Sequence, residues 1–375
     1  MTTPFQNIAR NMASLFSIRG EQRYEVVRKI FEGGMGIVYE GEQHGARDFV
    51  KRVAIKVIRQ NFATQKEFIE NFIGEAKLVA DLIHTNIVQT YQFGELNGIY
   101  YIVMEYINGV NLEQFAQQMT DKGKKLPSEL AVFIASRVCR GLAYAHNKAD
   151  KNGKLLGLVH RDVSYKNVMV AFEGDVKLTD FGVAKAAGFL TDKEGEVVAG
   201  KADYMSPEQA DFQITDKRSD LFSVGIVLAH LLLGKNIFKG VNAEESRDRV
   251  MKMPIPDFRK LDKRVDDKLN TILHRALSRE LKTRYGSADE LLYDLEFYIY
   301  SGGYGPTNET LGKFVRSLFG LDPAMATRDA KGSTRLLERT ARITRTTTTT
   351  KSARTAHNTR ATNHTRNTKK SVRVS

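Results

Sequence analysis

Nineteen residues constrain this chain more than any others. From Asp162 to Asp180 the sequence sets an aspartate, an asparagine at Asn167 and a second aspartate around Val168-Met-Val170, a turn at Gly174 and the run Val176 to Leu178. Short β-branched runs broken by a glycine predict a two-stranded hairpin. The three polar residues then fall on the two loops that flank it. Hard oxygen donors so arranged suit magnesium carrying a nucleotide. A fold containing this hairpin must bring both of its open ends to one polar site.

The rest of the chain supplies two kinds of scaffold. From Tyr24 to about Tyr101 short strand-like runs dominate: Tyr24 to Ile30, Gly36 to Glu40, Val50 to Ile58, Val88 to Glu95 and Tyr100 to Tyr106. They are broken by one stretch, Gln65 to Asp81, in which Phe68, Phe72, Ala76 and Val79 recur at the three- and four-residue spacing of a helix face. After Gly109 the pattern turns helical, over Ser128 to Asn147, Ser219 to Leu233, Val265 to Ser278 and Ala288 to Ile299. Pro127 suits the entry to the first of these. A sheet-rich lobe followed by a helical lobe is an α+β arrangement.

Two further features of the first lobe point to phosphate. Glu32-Gly-Gly-Met-Gly-Ile-Val-Tyr39 lies between two predicted strands, where small residues let a backbone fold over a polyphosphate. Val53-Ala-Ile-Lys56 then puts a lysine inside an apolar strand, a costly place for an ammonium unless something anionic meets it. Glu75, on the predicted helix, is the candidate partner. With His160-Arg-Asp162, Asn167, Asp180-Phe-Gly182, Tyr204-Met-Ser-Pro-Glu208, Asp220 and Arg284 following in order, residues 24 to about 300 resemble a complete bacterial serine/threonine protein kinase domain of the eukaryotic-like type.

That resemblance implies a bilobal kinase fold, with an N-lobe at 23–107 and a C-lobe at 108–300. It implies that Lys56, oriented by Glu75, holds the α- and β-phosphates of ATP, and that Asp162 orients the acceptor hydroxyl and takes its proton. Asn167 and Asp180 would bind the metal, Mg2+ with Mn2+ as an alternative. Ile30, Glu32, Gly33, Gly34 and Gly36 belong to the nucleotide loop, and Val38 and Ala54 would cover the adenine. Met104 falls at the gatekeeper position, and the backbone from Glu105 to Ile107 would meet the adenine edge. Glu208 with Arg284, and Asp220, would brace the helical lobe and the catalytic loop. Arg161 would pair with a phosphorylated residue of the activation segment, where Thr191 is the one serine or threonine between Gly182 and Tyr204. His84 matches a structural histidine.

The sequence departs from the family pattern at three places. Phe31 stands where the first glycine of the nucleotide loop is usual. The catalytic-loop lysine and proline are replaced by Ser164 and Tyr165, and Lys201 stands where serine/threonine kinases have a threonine. Loss of a preorganised cation near the γ-phosphate would cost a few kcal/mol, on the order of one oxyanion donor. Two lysines can restore it: Lys201 from the opposite loop, or Lys166, where many tyrosine kinases carry an arginine. A nucleotide-binding pseudokinase acting as a scaffold is the alternative reading.

Outside the kinase-like region the chain is simpler. Residues 1–22 read as an N-terminal extension, with Ile8, Met12, Leu15 and Phe16 at helix-like spacing, and 301–330 as a linker with one amphipathic stretch, Leu311 to Phe319. Residues 331–375 read as a disordered Thr- and Arg-rich tail. Of the formal net charge of +13, residues 321–375 carry +10, from thirteen basic against three acidic residues. The body is thus nearly neutral, which argues against a nucleic-acid-binding fold. The tail's fourteen threonines suit autophosphorylation, which would reverse its charge, and its cations suit weak, salt-dependent polyanion binding. Protein substrates bearing Ser or Thr acceptors and self-association for trans-autophosphorylation are the expected partners. The apolar run Phe222 to Leu233 is shorter than the roughly 18–20 residues that span a bilayer, so no integral membrane segment is expected. One cysteine, Cys139, and no leader-like N-terminus fit a cytoplasmic protein.

Overall fold

Alternation sets the sheet of the first lobe. The computed structural model describes residues 15–19, 22–33, 36–58, 73, 76, 79–96, 98–181 and 202–321. Gly34, Glu75, Thr191, Lys201 and the 331–375 tail lie outside the described residues. The strands are β1 (Phe16–Arg19), β2 (Arg23–Glu32), β3 (Gly36–His44), β4 (Val50–Ile58), β5 (Thr90–Leu96) and β6 (Ile99–Glu105), in the antiparallel order β1-β2-β3-β4-β6-β5. Val38 pairs with Lys56, Ala54 with Met104 and Lys56 with Ile102. Side chains of directly paired residues share a face, and the period of two repeats it along each strand. One face of β3, β4 and β6 therefore carries Val38, Ala54, Lys56, Ile102 and Met104 together. Of these, Ala54, Ile102 and Met104 are buried with Ile58 and Ala76, and Val38 packs on them. The opposite face buries Tyr24, Val26, Val53, Ile55, Tyr101 and Val103. In the predicted helix before β5, the described positions Ile73, Ala76, Val79 and Ala80 are helical.

Phe16 corrects the reading of the N-terminal extension. Residues 16–19 form a strand, not a helix, with Phe16 opposite Val26 and Ile18 opposite Tyr24. The cause is tertiary: four residues cannot nucleate a helix alone, and the edge of β2 offers both hydrogen bonds and a seat for the buried Ile18.

The second lobe opens with β7 (Gly109–Asn111), α1 (Leu112–Asp121) and α2 (Ser128–His146). Asn111 caps α1 by accepting from the Gln114 N–H, while the Gln114 side chain accepts from the Asn111 N–H, a reciprocal capping box. Strands β8 (Val168–Ala171) and β9 (Val176–Leu178) form the predicted hairpin, joined by β7 into a small sheet ordered β7-β8-β9. A 3-10 turn at Ala202–Tyr204 leads to α3 (Pro207–Ala210), α4 (Lys217–Leu233), α5 (Ala243–Lys252), α6 (Phe258–Leu261), α7 (Asp267–Ala276) and α8 (Ala288–Tyr300). Helix α4 is apolar on all sides because α2, α7 and α8 surround it. Gly234 ends it in the left-handed region at φ 72°, where a side chain would be strained. Cys139 is wholly buried in α2.

The C-lobe runs further than 300. Helix α9 (Asn308–Phe319) lies within what read as a linker and buries Leu311, Val315 and Leu318. Residues through Leu318 form one unit. Among the described residues no helix is long and apolar enough to cross a membrane.

Candidate active site

A single carboxylate organises the catalytic loop. Asp220, in the first turn of α4 and 1% exposed, accepts the backbone N–H groups of His160 (2.8 Å) and Arg161 (2.7 Å) and meets His146 Nε2 at 2.8 Å. Burial would raise its pKa, but the bond and charge of His146, with His160 behind them, outweigh that and hold the carboxyl below its ordinary value. These bonds also hold Arg161 in the left-handed region at φ 61°, helped by Gln209 Nε2 donating to the Arg161 carbonyl at 2.9 Å. His146 escaped the sequence reading, because a histidine at a helix C-terminus ordinarily needs no explanation beyond the helix dipole.

His160 is fully buried, and its ring is fixed from both sides. Nδ1 accepts the Asp162 N–H at 3.1 Å and Nε2 donates to the Thr179 carbonyl at 3.0 Å. The Asp162 N–H forces the Nε2-protonated form, because only an unprotonated Nδ1 can accept. Asn167 Nδ2 donates to the Asp162 carbonyl at 2.8 Å, and its own carbonyl accepts the Thr179 N–H at 2.9 Å. Two short links therefore tie residues 160–167 to Thr179, and two more brace the loop within itself. Phe181 completes the joint, its ring 4.6 Å from that of His160.

Asp180 lies at φ 56°, another left-handed position, and its Oδ1 sits 2.7 Å from Lys56 Nζ. The structure thus brings together Lys56 of β4, Asp162 and Asn167 of one loop, and Asp180 after β9. The partner expected for Lys56, Glu75, lies outside the described residues. Because Asn167 Nδ2 is already committed, its Oδ1 is the amide atom left to serve as an oxygen donor. One amide oxygen and one carboxylate are a hard donor set that fits a magnesium-sized cation.

The face expected to meet the nucleotide follows from strand alternation. Val38, Ala54 and Met104 share the face that carries Lys56. Gly36 is required on β3, since a Cβ there would lie 2.7 Å from the Val57 carbonyl oxygen. The Gly33 N–H closes the loop onto the Gly36 carbonyl at 2.9 Å. Ile30 and Phe31 are exposed on β2, and the Glu32 side chain pairs with Lys29 at 2.7 Å. At the other edge the Glu105 N–H donates to Gln89 O (2.8 Å), and the Glu105 carboxylate accepts from Lys177 Nζ (2.9 Å). Ile107 is half-buried beside it. His84 is structural as expected: Nδ1 accepts the Asn86 N–H at 3.1 Å, and the ring stacks on Tyr144.

The departures from the family pattern have structural counterparts. Ser164 is buried, and Tyr165 lies flat on His230, ring centroids 4.0 Å apart and planes 7° apart. The Tyr204 hydroxyl donates to His230 Nδ1 at 2.9 Å. Burial and the nearby Lys239 push His230 down to about 4, so its ring is neutral and free to accept. This three-ring stack joins the catalytic loop to the segment before α3 and was not anticipated, since stacking across 65 residues leaves no local trace. The Tyr165 hydroxyl is buried with no hydrogen-bond partner among the described residues. Lys166 points into solvent, 4.0 Å from Glu113 of α1.

Below the site, Arg284 and Glu208 form the expected pair, bidentate at 2.7 and 3.1 Å, with the arginine side chain fully buried. Ser219 Oγ adds a bond to the same carboxylate at 2.7 Å. Burial alone would raise Glu208, but Arg284 outweighs it and leaves the carboxyl below its ordinary value.

The family described as the protein kinase domain matches residues 24–295. The tyrosine-protein kinase MasK of Myxococcus xanthus is 34% identical over 302 residues, covering 79% of this chain and 46% of MasK. The serine/threonine-protein kinase PrkC of Bacillus subtilis is 34% identical over 276 residues, covering 73% and 40%. The kinase domain of Mycobacterium tuberculosis PknI aligns with a TM-score of 0.56 at 26% identity, covering 76% of this chain and 98% of that one. The chain spans less than half the length of these two curated relatives. A match across both lobes, with the lysine, both aspartates and the asparagine converging on one cleft, shows that this chain belongs to the protein kinase domain family.

Proposed function

We propose that this protein is an ATP-dependent protein kinase that transfers the γ-phosphoryl group to serine or threonine hydroxyls of proteins, its own chain included, in bacterial signal transduction. The observation that carries the reading is the rigid link between Asp162 and Asn167 on one loop and the Lys56–Asp180 contact (2.7 Å) beside it. In the reaction the bond from the γ-phosphorus to the β–γ bridging oxygen breaks, and a bond to the acceptor oxygen forms. The acceptor proton passes to Asp162, and ADP leaves with the bridging oxygen. Lys56 binds the α- and β-phosphates, and Val38, Ala54 and Met104 enclose the adenine. Asn167 and Asp180 hold Mg2+ or Mn2+, which when bound neutralises charge on the phosphates. Lys201 or Lys166 supplies the cation that Ser164 does not.

Serine/threonine acceptors are supported by the name of PrkC, while the name of MasK makes tyrosine the competing class. Thr191, facing Arg161 once phosphorylated, is the proposed activating site. A cytoplasmic location is supported by the need for ATP and by the free, buried Cys139. Trans-autophosphorylation by self-association and weak polyanion binding by the basic tail complete the proposal. The test is intact-protein mass spectrometry of wild type and Asp162→Asn after incubation with ATP and Mg2+, followed by site mapping. Phosphoserine or phosphothreonine in the wild type alone is expected. Equal phosphate in both proteins would overturn the role of Asp162, and phosphotyrosine alone would overturn the acceptor class.

A further inference from the structure

The hairpin that carries the proposed metal ligands is gripped at its closed end by a helix from beyond the kinase-matched residues. Asn167 immediately precedes β8 and Asp180 follows β9 by two residues, so both ligands sit at the open end. The closed end, residues 172–175, lies against α9. Arg316 Nη1 donates to the Phe172 carbonyl at 2.7 Å, and Asn308 Nδ2 donates to Asp175 Oδ1 at 2.6 Å. Two glycines set the closeness: a Cβ on Gly174 would lie 1.8 Å from the Asn308 carbonyl oxygen, and one on Gly312 2.7 Å from that of Glu173. Such an approach admits no side chain on either partner.

The same helix is tied to the adenine side. The Phe172 N–H donates to the Asn108 carbonyl at 2.9 Å, one residue past the stretch that would meet the adenine edge. One residue, Phe172, therefore connects that stretch through its N–H and α9 through its C=O. Gln118 Nε2 of α1, at 3.2 Å, and Lys122 Nζ just past its end donate to the Leu318 carbonyl, and the Phe314 ring lies edge-on to Phe115 of α1. Leu311, Val315 and Leu318 are fully buried beneath.

We propose that α9 is a positioning element of the ATP site, with Arg316, Asn308 and Gly312 fixing the pitch of the β8–β9 hairpin and through it the placement of Asn167 and Asp180 for the metal–nucleotide complex. A ligand pair on a short hairpin swings with the hairpin, and supports behind metal ligands govern affinity as the ligands themselves do. The proposal rests on Asn167 and Asp180 being the metal ligands. It assigns a catalytic contribution to a segment outside the family match, residues 24–295.

The experiment uses the full chain. Gly312→Leu forces α9 away from the Glu173 carbonyl, Arg316→Ala removes the bond to Phe172, and Arg316→Lys keeps one donor. Lys313→Ala, on the exposed side of α9, is the control. The KM for MgATP and the Mg2+ needed for half-maximal rate should rise about five- to tenfold in Gly312→Leu, the lower edge of what loss of an outer support costs a metal site. The acceptor KM should stay at the wild-type value, Arg316→Ala should fall between, and Arg316→Lys should recover most of the loss. Amide exchange should quicken across 168–178 while α2 and α4 keep wild-type protection. Wild-type MgATP KM and hairpin protection in Gly312→Leu would refute the proposal, as would protection lost equally in α2 and α4. Asp180→Asn is run alongside. Unchanged Mg2+ dependence there overturns the ligand assignment, whereas its loss together with wild-type behaviour of the α9 variants overturns the brace alone.

Discussion

Replacing Arg284 by methionine keeps the volume of the side chain and removes its charge and donors. The guanidinium is fully buried and makes two bonds to Glu208, and it also donates to the carbonyls of Ser278 (2.7 Å), Arg218 (3.1 Å) and Arg279 (3.3 Å). Removing one partner of a buried pair leaves an uncompensated charge and costs about 3–5 kcal/mol, with the Ser219 hydroxyl still bonded to the carboxylate. For a body of about 300 residues about 4 kcal/mol lowers Tm by roughly 5–8 °C. The chain has no tryptophan, so urea unfolding is best followed by circular dichroism. The sign of the pH dependence follows from Glu208, whose folded pKa is depressed. Its contribution is fully present above the unfolded carboxyl value of about 4.3 and is lost as pH falls through the lower folded value. In Arg284→Met the isolated buried carboxyl prefers its proton, so the gap between wild type and variant should be widest near neutrality and narrow on acidification. Adding Glu208→Leu should recover much of the loss, because the pair is then absent from both sides. A loss under about 1 kcal/mol at pH 7, the value of a surface pair, would refute the reasoning. A gap that is constant down to pH 3 would do so as well.

Three shorter tests probe the catalytic loop and its surroundings. Tyr165→Phe keeps the ring on His230 and deletes an unpaired buried hydroxyl, so it should stabilise the protein by about 1 kcal/mol or leave it unchanged; a clear fall in Tm would show that the hydroxyl has a partner. His230 is held neutral down to about 4, below the unfolded value of 6.5, so the unfolded chain binds the extra proton between those values and stability should decline as pH drops from 6.5 to 4. His230→Phe should flatten that part of the curve. Lys201→Met and Lys166→Met, assayed separately for kcat, should part the two candidate cations: the one that matters loses about 100-fold, as for a missing oxyanion donor, and full activity in both would leave the loop without a substitute lysine.

The candidate catalytic residues were legible because each of their motifs is local. His160 to Asn167 and Asp180 are read within one stretch of sequence, and the alternation of Val53 to Lys56 already places the lysine on the apolar face. What joins them was not legible. The Lys56–Asp180 contact spans 124 residues, and the partners of Asp220 lie 59, 60 and 74 residues away. Strand ends drifted for a related reason: Val88 and Gln89 read as strand, yet β5 begins at Thr90 because the Val88 N–H is given to Leu178 of the other lobe. Phe16 was misread because a four-residue strand is specified by its neighbour. Helix α9 showed its apolar face from Leu311 onward, but the sequence could not show that Gly174 had been reserved for it.

The burial of Cys139 inside α2 has a practical consequence. Enclosure pushes its thiol far above the ordinary range, and the thiolate is the species that alkylating and oxidising reagents attack. As the chain's single cysteine, it leaves the native protein silent to maleimide. Any cysteine introduced at an exposed position, such as Lys313, then becomes a unique chemical address. A fluorophore or spin label placed there would watch α9 in the native protein without first stripping it of its own thiol.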